Sequence, residues 1–441
     1  MIDIQLIRSQ PDYVRAQIAR LHTDAPIDEI IALDHERRDL IGETETLKAQ
    51  LNAGSKGVGR AKDPCERERL MTEMRDVGDR IAALDDRLRT IEESLLQAQL
   101  RVPNLPAEHV PDGASEDDNV VTAEIGERRL FTFPPQPHWD LATNLGIIDF
   151  ERGVKVAGTR NYVLRGDGAR LQRALITWML DLHTREHGYQ EVYPPYLVPA
   201  AMLVGTGSLP KFAETLFHDA EEDKWLIPTA EVPVTNLYRD EILDEAILPI
   251  YHVAYTPCFR REQVSGGRDV RGIKRGYQFD KVEMVKFVTP ETSDDEHLKL
   301  QRDAEAVLQA LGLPYRILQI CTADLSFTAA NKVDLEVWAP GADEWLEVSS
   351  ISTFRDFQAR RANIRYRPAG GKPQYLHTMN GSGLALPRLM IAIMENYQNE
   401  DGTFTVPEVL RAYLGGDGLI GVQPPIGNGA RMAAVLATVR G

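Results

Sequence analysis

The feature that most constrains the fold is a heptad repeat of apolar residues near the N-terminus. An earlier segment, 28–51, carries a weaker repeat that Arg37 and Thr44 interrupt. This pattern predicts two long amphipathic helices that pack along a common seam. In the stronger repeat, over 66–100, apolar residues recur at alternating spacings of four and three, at Leu70, Met74, Val77, Ile81, Leu84, Leu88, Ile91 and Leu95.

The segment that joins the two helices predicts how they pair. Residues 52–64 read NAGSKGVGRAKDP, and glycines at this density break helices. We therefore expect an antiparallel helical hairpin, a coiled coil within one chain, over about 28–100 with its tip at 53–63. Pro64 suits the first turn of the returning helix, where its missing N–H costs nothing. The alternative is that the seam joins two copies of the chain.

Net charge restricts how this chain can meet a nucleic acid. It has 50 Lys and Arg against 66 Asp and Glu, a formal net charge of −16, so any such contact must use a local basic patch. The hairpin tip is one, because it carries Lys56, Arg60 and Lys62 with no acid between them. Charges at a loop tip are either simply solvated or placed against a phosphate backbone.

Cysteine content and the absence of apolar segments predict a soluble protein of the cytoplasm without membrane contact. Cys65, Cys258 and Cys321 are odd in number and too far apart for a zinc knuckle, so we expect no structural zinc. Residues 1–20 lack the apolar core of a signal peptide. The most apolar stretch, 384–394, is too short to span a membrane.

Composition divides the chain into three regions. The helices occupy 1–110, a proline-rich and acidic segment at 111–130 is predicted to be a linker, and 131–441 alternates helical stretches with β-rich runs. This alternation predicts an α+β domain built on a largely antiparallel sheet. The clearest β-rich runs are 191–198, 249–255 and 279–288.

Several standard signatures are missing, because GxxxxGK[ST], HExxH and GxSxG are absent and no GxGxxG follows a strand and opens a helix. The residues that can carry chemistry are instead charged residues inside strand-like runs. Arg260 and Glu262 share one face of a strand, and Phe279, Lys281 and Glu283 share a face of the next. A cation for a phosphate, a carboxylate for an exocyclic amine and a ring for a base can converge there. A surface hairpin with cross-strand ion pairs explains the pattern equally well.

These residues belong to a set of motifs that resembles the class II aminoacyl-tRNA synthetases, and most of all the seryl-tRNA synthetase family. The N-terminal hairpin matches this family too. The resemblance covers essentially the whole chain and implies a class II catalytic domain with an N-terminal tRNA-binding arm. In chain order the motifs are TAE at 229–231, FRRE at 259–262 with QFDKVE at 278–283, EVSS at 347–350 and NGSGLALPR at 380–388.

The resemblance implies an ATP site with Mg²⁺. Arg260 would hold the α-phosphate and the substrate carboxylate, and Glu262 would accept from the adenine amine. Phe279 and Arg388 would sandwich the adenine ring. The implied catalytic residues are Arg260, Glu347 and Arg388, the implied Mg²⁺ ligands are Glu347 and Ser350, and the ATP-binding set also includes Arg261, Val348 and Ser349.

The resemblance also implies a polar pocket for L-serine. A site that hydrogen-bonds a hydroxyl rejects the analogue without it by ~10⁴-fold, so alanine should be excluded, whereas threonine must be excluded sterically. The implied pocket residues are Thr229, Ala230, Glu231, Arg260, Glu283 and Ser382.

The resemblance implies two sets of contacts with tRNA, one with the body of the tRNA and one with its acceptor end. The hairpin tip would reach the body of tRNA(Ser), and recognition would be chiefly of shape and backbone. Motif 1 of the family, here near 188–203, implies a homodimer in which one subunit's arm serves a tRNA charged on the other. The residues expected at the acceptor end are Arg268, Arg271, Lys274 and Arg275.

The chain departs from the family pattern at a few positions. Ile351 and Thr353 stand where the family usually has a small residue or cysteine and an asparagine. Arg261 replaces a serine of many members, and we expect its side chain to face away from ATP. Three alternatives stay open at this point: charging of tRNA(Sec) as well, an amino acid:carrier-protein ligase, which typically lacks the arm, and a non-catalytic RNA-binding paralogue.

Overall fold

The computed structural model describes residues 1–262 and 271–423, and the chain divides into two units, Met1–Leu105 and Pro106–Gly441. The N-terminal unit is helical and is described first. Its helices are α1 (Ile4–Ser9), α2 (Pro11–Ala19), α3 (Ile27–Arg60) and α4 (Pro64–Leu100).

Helices α3 and α4 pack as the predicted antiparallel hairpin within one chain. Their cross-helix ion pairs run in opposite order along the two helices, from Glu29–Arg101 through Glu36–Arg87 to Lys48–Asp85. The heptad pattern is confirmed, because the buried side chains between the helices come from its seam. They are Leu47, Val77 and Ile81, with Leu51, Met74 and Leu84 packed against them.

The predicted hairpin tip is wrong in its extent. Helix α3 runs through the glycine-rich segment to Arg60, so only 61–63 form the turn before α4. Each glycine costs a helix about 1 kcal/mol relative to alanine. At Gly54 the cost is offset by close packing, because a Cβ there would overlap the side chain of Met74 on α4. The Asp63 carboxylate then caps α4 by accepting from the N–H of Cys65 at 3.3 Å.

The second unit is the predicted α+β domain. Its helices are α5 (His138–Leu145), α6 (Phe150–Ala157), α7 (Asp167–Arg185), α8 (Ala200–Thr206), α9 (Glu231–Thr235), α10 (Ser293–Ala310), α11 (Phe357–Ala362), α12 (Leu386–Tyr397) and α13 (Glu408–Arg411). Its strands are β1 (Val120–Ile125), β2 (Ile148–Asp149), β3 (Val163–Leu164), β4 (Gln190–Glu191), β5 (Leu197–Val198), β6 (Trp225–Leu226), β7 (Ile242–Asp244), β8 (Ile250–Phe259), β9 (Gln278–Val288), β10 (Tyr315–Gln319), β11 (Asn331–Ala339), β12 (Glu344–Arg355), β13 (Arg365–Arg367), β14 (Gln374–Tyr375), β15 (His377–Ala385), β16 (Phe404–Thr405) and β17 (Leu419–Ile420).

The main sheet is largely antiparallel, as predicted. Its strand order is β1-β10-β11-β12-β15-β9-β8-β4, and β4 pairs parallel to β8 whereas the other neighbours are antiparallel. The run predicted over 191–198 is not one strand. Pro194 and Pro195 have no N–H to donate to a ladder, and only the flanking pairs of residues form β4 and β5.

The linker predicted over 111–130 needs a correction. Within it, β1 pairs with β10 at the edge of the main sheet, from Val120 opposite Gln319 to Ile125 opposite Tyr315. The strand-forming run VVTAEI therefore outweighs the proline-rich and acidic composition around it. The boundary between the units also falls earlier than the predicted position 110, between Leu105 and Pro106.

Strand β9 shows how the sheet separates a core face from a functional face. Val282 and Met284 point into the main core, where residues of α7, α10 and α12 pack. Phe279 and Lys281 point to the opposite face, where they line a cleft. Helix α12 is the apolar stretch noted in the sequence, and it is a buried core helix. In the described parts of the chain, no helix combines the length and apolar character needed to cross a membrane.

Candidate active site

One cleft of about 970 Å³ on this face collects most of the residues that the sequence motifs single out. They come from distant parts of the chain, and the sheet brings them together because β8, β9, β12 and β15 are neighbours in it. The surface hairpin considered from the sequence is therefore excluded, since both strands lie inside a larger sheet. The predicted residues that line the cleft are Thr229, Glu231, Arg260, Arg261, Glu262, Phe279, Lys274, Arg275, Glu347, Val348, Ser350, Ser382 and Arg388.

Three predicted residues lie behind the cleft wall. Ala230 is buried in an apolar cluster beneath the site. The hydroxyl of Ser349 donates to the carbonyl oxygen of Ser382 at 2.7 Å, so this side chain ties β12 to β15. Glu283 is fully buried at the base of the site. The structure does not bring the side chains of Ala230 and Ser349 to the cleft surface.

Glu283 is the centre of a buried polar network. Its carboxylate accepts from the Thr229 hydroxyl at 3.3 Å and from the Asn380 amide at 2.7 Å, and it forms an ion pair with Lys281. The register of β9 and β15 places it directly opposite Ser382. A buried carboxylate is stable only when hydrogen bonds or an opposite charge compensate it. These three partners do so, and they fix the orientation of the Glu283 side chain.

Glu231 lies beside Glu283, and one side chain links the two. The Asn380 amide donates to Glu231 at 3.2 Å as well as to Glu283, and Gln358 donates to the other oxygen of Glu231 at 2.6 Å. The Thr378 hydroxyl orients Gln358 by donating to its amide oxygen at 2.7 Å. Burial and the neighbouring Glu283 carboxylate raise the pKa of Glu231 to about 7. A cation bound beside these two carboxylates would therefore be stabilised by their negative charge, and it would favour the ionised form of Glu231.

Arg260 and Phe279 meet above the carboxylates. The guanidinium carbon of Arg260 lies 5.2 Å from the centre of the Phe279 ring, and its Nε donates to the carbonyl oxygen of Pro228 at 3.2 Å. Arg275, from the segment before β9, contacts the Glu262 carboxylate at 3.5 Å. A flat ring, a fixed cation and an acceptor therefore converge, as the strand alternation predicted.

A β-bulge shapes the third wall of the cleft. In the pairing of β11 with β12, Leu335 opposes Ser349 and Glu336 opposes Glu347, so Val348 has no partner. The extra residue brings Glu347 and Ser350 to the same cleft, although strict alternation would place them on opposite faces.

Arg388, in the first turn of α12, contacts Glu347 in two ways. One guanidinium nitrogen donates to the Glu347 carbonyl oxygen at 2.6 Å and lies 3.7 Å from its carboxylate. Burial acts to raise the pKa of Glu347, but the positive charges of Arg388, Lys332 and other nearby cations hold it below the usual value. Glu347 is therefore ionised at neutral pH.

The donor set at Glu347 and Ser350 suits Mg²⁺ that arrives with a nucleotide. Mg²⁺ is typically held by one or two protein oxygen ligands together with substrate phosphates and water. Within residues 1–262 and 271–423, no cluster of three His, Cys, Asp or Glu side chains could hold a metal ion by itself. A carboxylate that lies against the protein but still opens into the cleft, beside a hydroxyl, fits a metal that phosphates help to bind.

The basic residues expected to meet tRNA fall into two groups. Lys56 and Arg60 at the end of α3 and Lys62 in the turn, together called the hairpin tip, are exposed, and none of the three forms an ion pair within the described residues. In the loop before β9, each described cation faces an acid: Arg271 faces Asp140 at 3.9 Å, Lys274 faces Glu344 at 2.7 Å, and Arg275 faces Glu262. Arg268 lies outside the described residues.

Arg261 lies at the cleft wall, and its guanidinium lies 5.0 Å from the centre of the Phe217 ring. That this side chain faces away from ATP stays a prediction. The sequence motifs assign no role to Asn380 and Gln358, yet Asn380 donates to both carboxylates and Gln358 donates to Glu231. A polar side chain in an otherwise buried strand was the available signal for Asn380, whereas nothing in the local sequence of Gln358 pointed to Glu231.

Comparisons with known proteins agree with this geometry over nearly the whole chain. Residues 1–106 match the seryl-tRNA synthetase N-terminal domain, and residues 213–397 match the class II tRNA synthetase core domain of the G, H, P, S and T types. The serine–tRNA ligase of Thermomicrobium roseum is 64% identical over 425 residues, which are 96% of each chain. That of Chloroflexus aurantiacus is 58% identical over 423 residues, covering 96% of this chain and all of the other.

A solved structure extends the likeness to the fold. The seryl-tRNA synthetase of Pyrococcus horikoshii, complexed with ATP, superposes with a TM-score of 0.89 at 35% identity, over 96% of this chain and 100% of the other. Relatives this similar, matched along both units and through every motif of the cleft, establish the relationship. The chain belongs to the seryl-tRNA synthetase family of class II aminoacyl-tRNA synthetases.

Proposed function

We propose that this protein activates L-serine with ATP to form seryl-adenylate and then transfers the seryl group to tRNA(Ser). The observation that carries the proposal is the pair Glu231 and Glu283, held by one amide of Asn380 at the base of a cleft that also presents Arg260. Two carboxylates side by side favour an ammonium group, and a nearby guanidinium favours a carboxylate and a phosphate.

The serine pocket follows from this network. The substrate ammonium lies against Glu231, and the side-chain hydroxyl bonds with the polar groups around Glu283, among them Thr229 and Ser382. A ligand without the hydroxyl leaves buried groups unpaired, which is the basis for rejecting alanine. The carboxylate of serine then points to Arg260.

Adenylate formation needs positioning and charge stabilisation, and no side-chain nucleophile. The serine carboxylate attacks the α-phosphorus of ATP, the new acyl–phosphate bond forms, and pyrophosphate leaves. Arg260 meets the charge that develops at the α-phosphate. Phe279 and Arg388 hold the adenine ring, Glu262 accepts from its amine, and Arg261 contributes a further cation at the cleft wall.

Glu347 and Ser350 would hold Mg²⁺ bound to the ATP phosphates. When bound, such an ion neutralises phosphate charge and orients the phosphates. The backbone at Val348 sets the distance between the two side chains, and Arg388 keeps Glu347 ionised and in place.

In the second step a terminal ribose hydroxyl of the tRNA attacks the acyl carbon and AMP leaves. We place the acceptor end beside the loop before β9, where Arg271 is the most exposed of the described cations and Lys274 and Arg275 must leave their acid partners to reach a phosphate. Arg268 belongs to the same proposal. The exposed tip residues Lys56, Arg60 and Lys62 serve the body of the tRNA.

A homodimer completes the proposal. The short strand β4 lies at the edge of the main sheet, and it is followed by the exposed apolar side chains of Tyr193 and Leu197. An open sheet edge beside exposed apolar groups is typical of a surface that another chain covers. Sedimentation of the purified protein should therefore give twice the chain mass of 49.4 kDa.

The proposal is tested by amino-acid-dependent ATP–pyrophosphate exchange with each of the twenty amino acids, followed by charging of purified tRNA(Ser) and tRNA(Sec). We expect exchange with serine and charging of tRNA(Ser), and the tRNA(Sec) arm shows whether the same site serves both. Exchange without charging of either tRNA would indicate a carrier-protein ligase. No exchange with any amino acid would indicate a non-catalytic RNA-binding paralogue.

A further inference from the structure

A residue outside every motif holds the end of the loop that returns to β9. The Nε2 atom of His138, the first residue of α5, accepts a hydrogen bond from the backbone N–H of Ile273 at 3.3 Å. Both side chains are almost completely buried. Ile273 packs in the main core and also lines the cleft, directly before Lys274 and Arg275.

A buried carboxylate determines which nitrogen of His138 carries the proton. Glu395, on α12, accepts from the backbone N–H of His138 at 2.8 Å and lies 2.9 Å from its Nδ1. The other Glu395 oxygen accepts from the N–H groups of Gly341 and Ala342. Because the backbone N–H of Ile273 can only donate, Nε2 is the accepting nitrogen, and the Nδ1–H of His138 faces Glu395.

The loop is built to approach this histidine closely. Gly272 has a φ of +76°, which L side chains rarely adopt, and a Cβ at this position would overlap the His138 ring. Next to it, Arg271 lies with its guanidinium 4.6 Å from the centre of the Trp139 ring. Glycine at 272 therefore permits both the turn and the contact.

We propose that His138 is a positioning residue for ATP, acting through the backbone of Ile273. The contact places Arg275 beside Glu262, the proposed acceptor for the adenine amine, and Lys274 beside Glu344. Before any tRNA arrives, Arg275 therefore holds a residue of the ATP site. Glu395 lies on the same helix as Arg388, so the contacts of His138 connect the segment before β9 to the helix that carries Arg388. This inference rests on the proposed ATP site, but the contact itself is independent of it.

The test compares two conservative variants in the full-length protein. His138→Asn keeps an amide near the Nδ1 position but loses the acceptor for Ile273, whereas His138→Gln places an amide oxygen near the Nε2 position. We expect His138→Asn to raise the KM for ATP about fivefold, as expected for one neutral hydrogen bond, with little change in kcat or in the KM for serine. His138→Gln should restore most of the loss.

A second measurement separates this inference from the proposed function. Hydrogen exchange of the Ile273 amide, followed in the absence of ATP, should be faster in His138→Asn and in Gly272→Ala than in the unaltered protein and near normal in His138→Gln. This readout does not require that the protein activate serine. Equal KM values for ATP in the Asn and Gln variants, or an Ile273 amide whose exchange is unchanged in His138→Asn and in Gly272→Ala, would overturn the role of His138.

Discussion

Glu347 and Ser350 face the same cleft although they are three residues apart on one strand, because Val348 between them forms a bulge. The bulge converts an alternating strand into a site where a carboxylate and a hydroxyl can share one ligand. It also leaves the Glu347 carbonyl oxygen free to accept from Arg388. The spacing in the EVSS motif is thus explained by backbone geometry.

We predict that Glu347→Gln weakens the binding of the Mg²⁺ that accompanies ATP. The neutral amide is a poorer Mg²⁺ ligand, so half-maximal exchange should need at least about tenfold more Mg²⁺. Exchange measured across a Mg²⁺ titration checks this. The control is Glu336→Gln, which also removes one negative charge. Glu336 lies opposite Glu347 on the neighbouring strand, and its carboxylate pairs with Arg316. The same Mg²⁺ requirement in both variants would contradict the proposed ligand.

The raised pKa of Glu231 predicts that activity and stability change in opposite directions as the pH rises. Its carboxyl pKa is raised from 4.5 to about 7, so between these values the folded state holds a proton that the unfolded chain releases. Stability should therefore fall as pH rises through this interval, whereas kcat/KM for serine should rise, because the substrate ammonium needs ionised Glu231.

The matched variant for this prediction is Glu231→Gln. Without the titrating group, both profiles should flatten near pH 7, and kcat/KM for serine at pH 8 should fall on the order of 100-fold through loss of a charged partner. The profiles come from exchange kinetics and from urea unfolding at a series of pH values. A variant that keeps the rise in activity near pH 7 would show that another group causes it.

The hairpin tip should matter for tRNA alone. We expect the triple variant Lys56→Ala, Arg60→Ala and Lys62→Ala to leave serine-dependent exchange unchanged and to raise the KM for tRNA about tenfold or more. It should also make charging less sensitive to salt, because fewer counterions are released on binding. Charging kinetics at several salt concentrations provide the measurement.

The control for the tip variant removes three cations elsewhere on the same hairpin. Arg80, Arg87 and Arg89 lie on α4 away from the turn and pair with acids. Since exposed ion pairs contribute little, their replacement by alanine should change neither exchange nor charging by more than about twofold. Normal charging by the tip variant would mean that the arm does not use these residues.

Because α3 stays helical as far as Arg60, we predict that replacing one of its last glycines by alanine stabilises the helix. Gly59 has open space around it, and alanine there should stabilise the helix by up to about 1 kcal/mol. At Gly54 the same change should gain less, because Met74 must move aside. Hydrogen exchange of the α3 amides in each variant checks the order. If alanine destabilised the helix at Gly59, that would argue for a turn beginning before Arg60.

Local patterns in the sequence predicted the elements that depend on them. The heptad seam determined the hairpin, and strand alternation placed Phe279 and Lys281 on one face. The extent of α3 could not be predicted, because the packing of Gly54 against Met74 is a contact between distant residues. The link from Gln358 to Glu231 has the same origin, since 127 positions separate the two residues.

The central claim is tested most directly by comparing serine with alanine in ATP–pyrophosphate exchange. The two differ by the single hydroxyl that the network of Thr229, Glu283 and Ser382 is proposed to bind. We predict a kcat/KM for serine that exceeds that for alanine by at least ~10⁴-fold, because alanine leaves buried polar groups unpaired. A ratio below ~10²-fold would contradict the account, since it is what an apolar pocket gives for one small group.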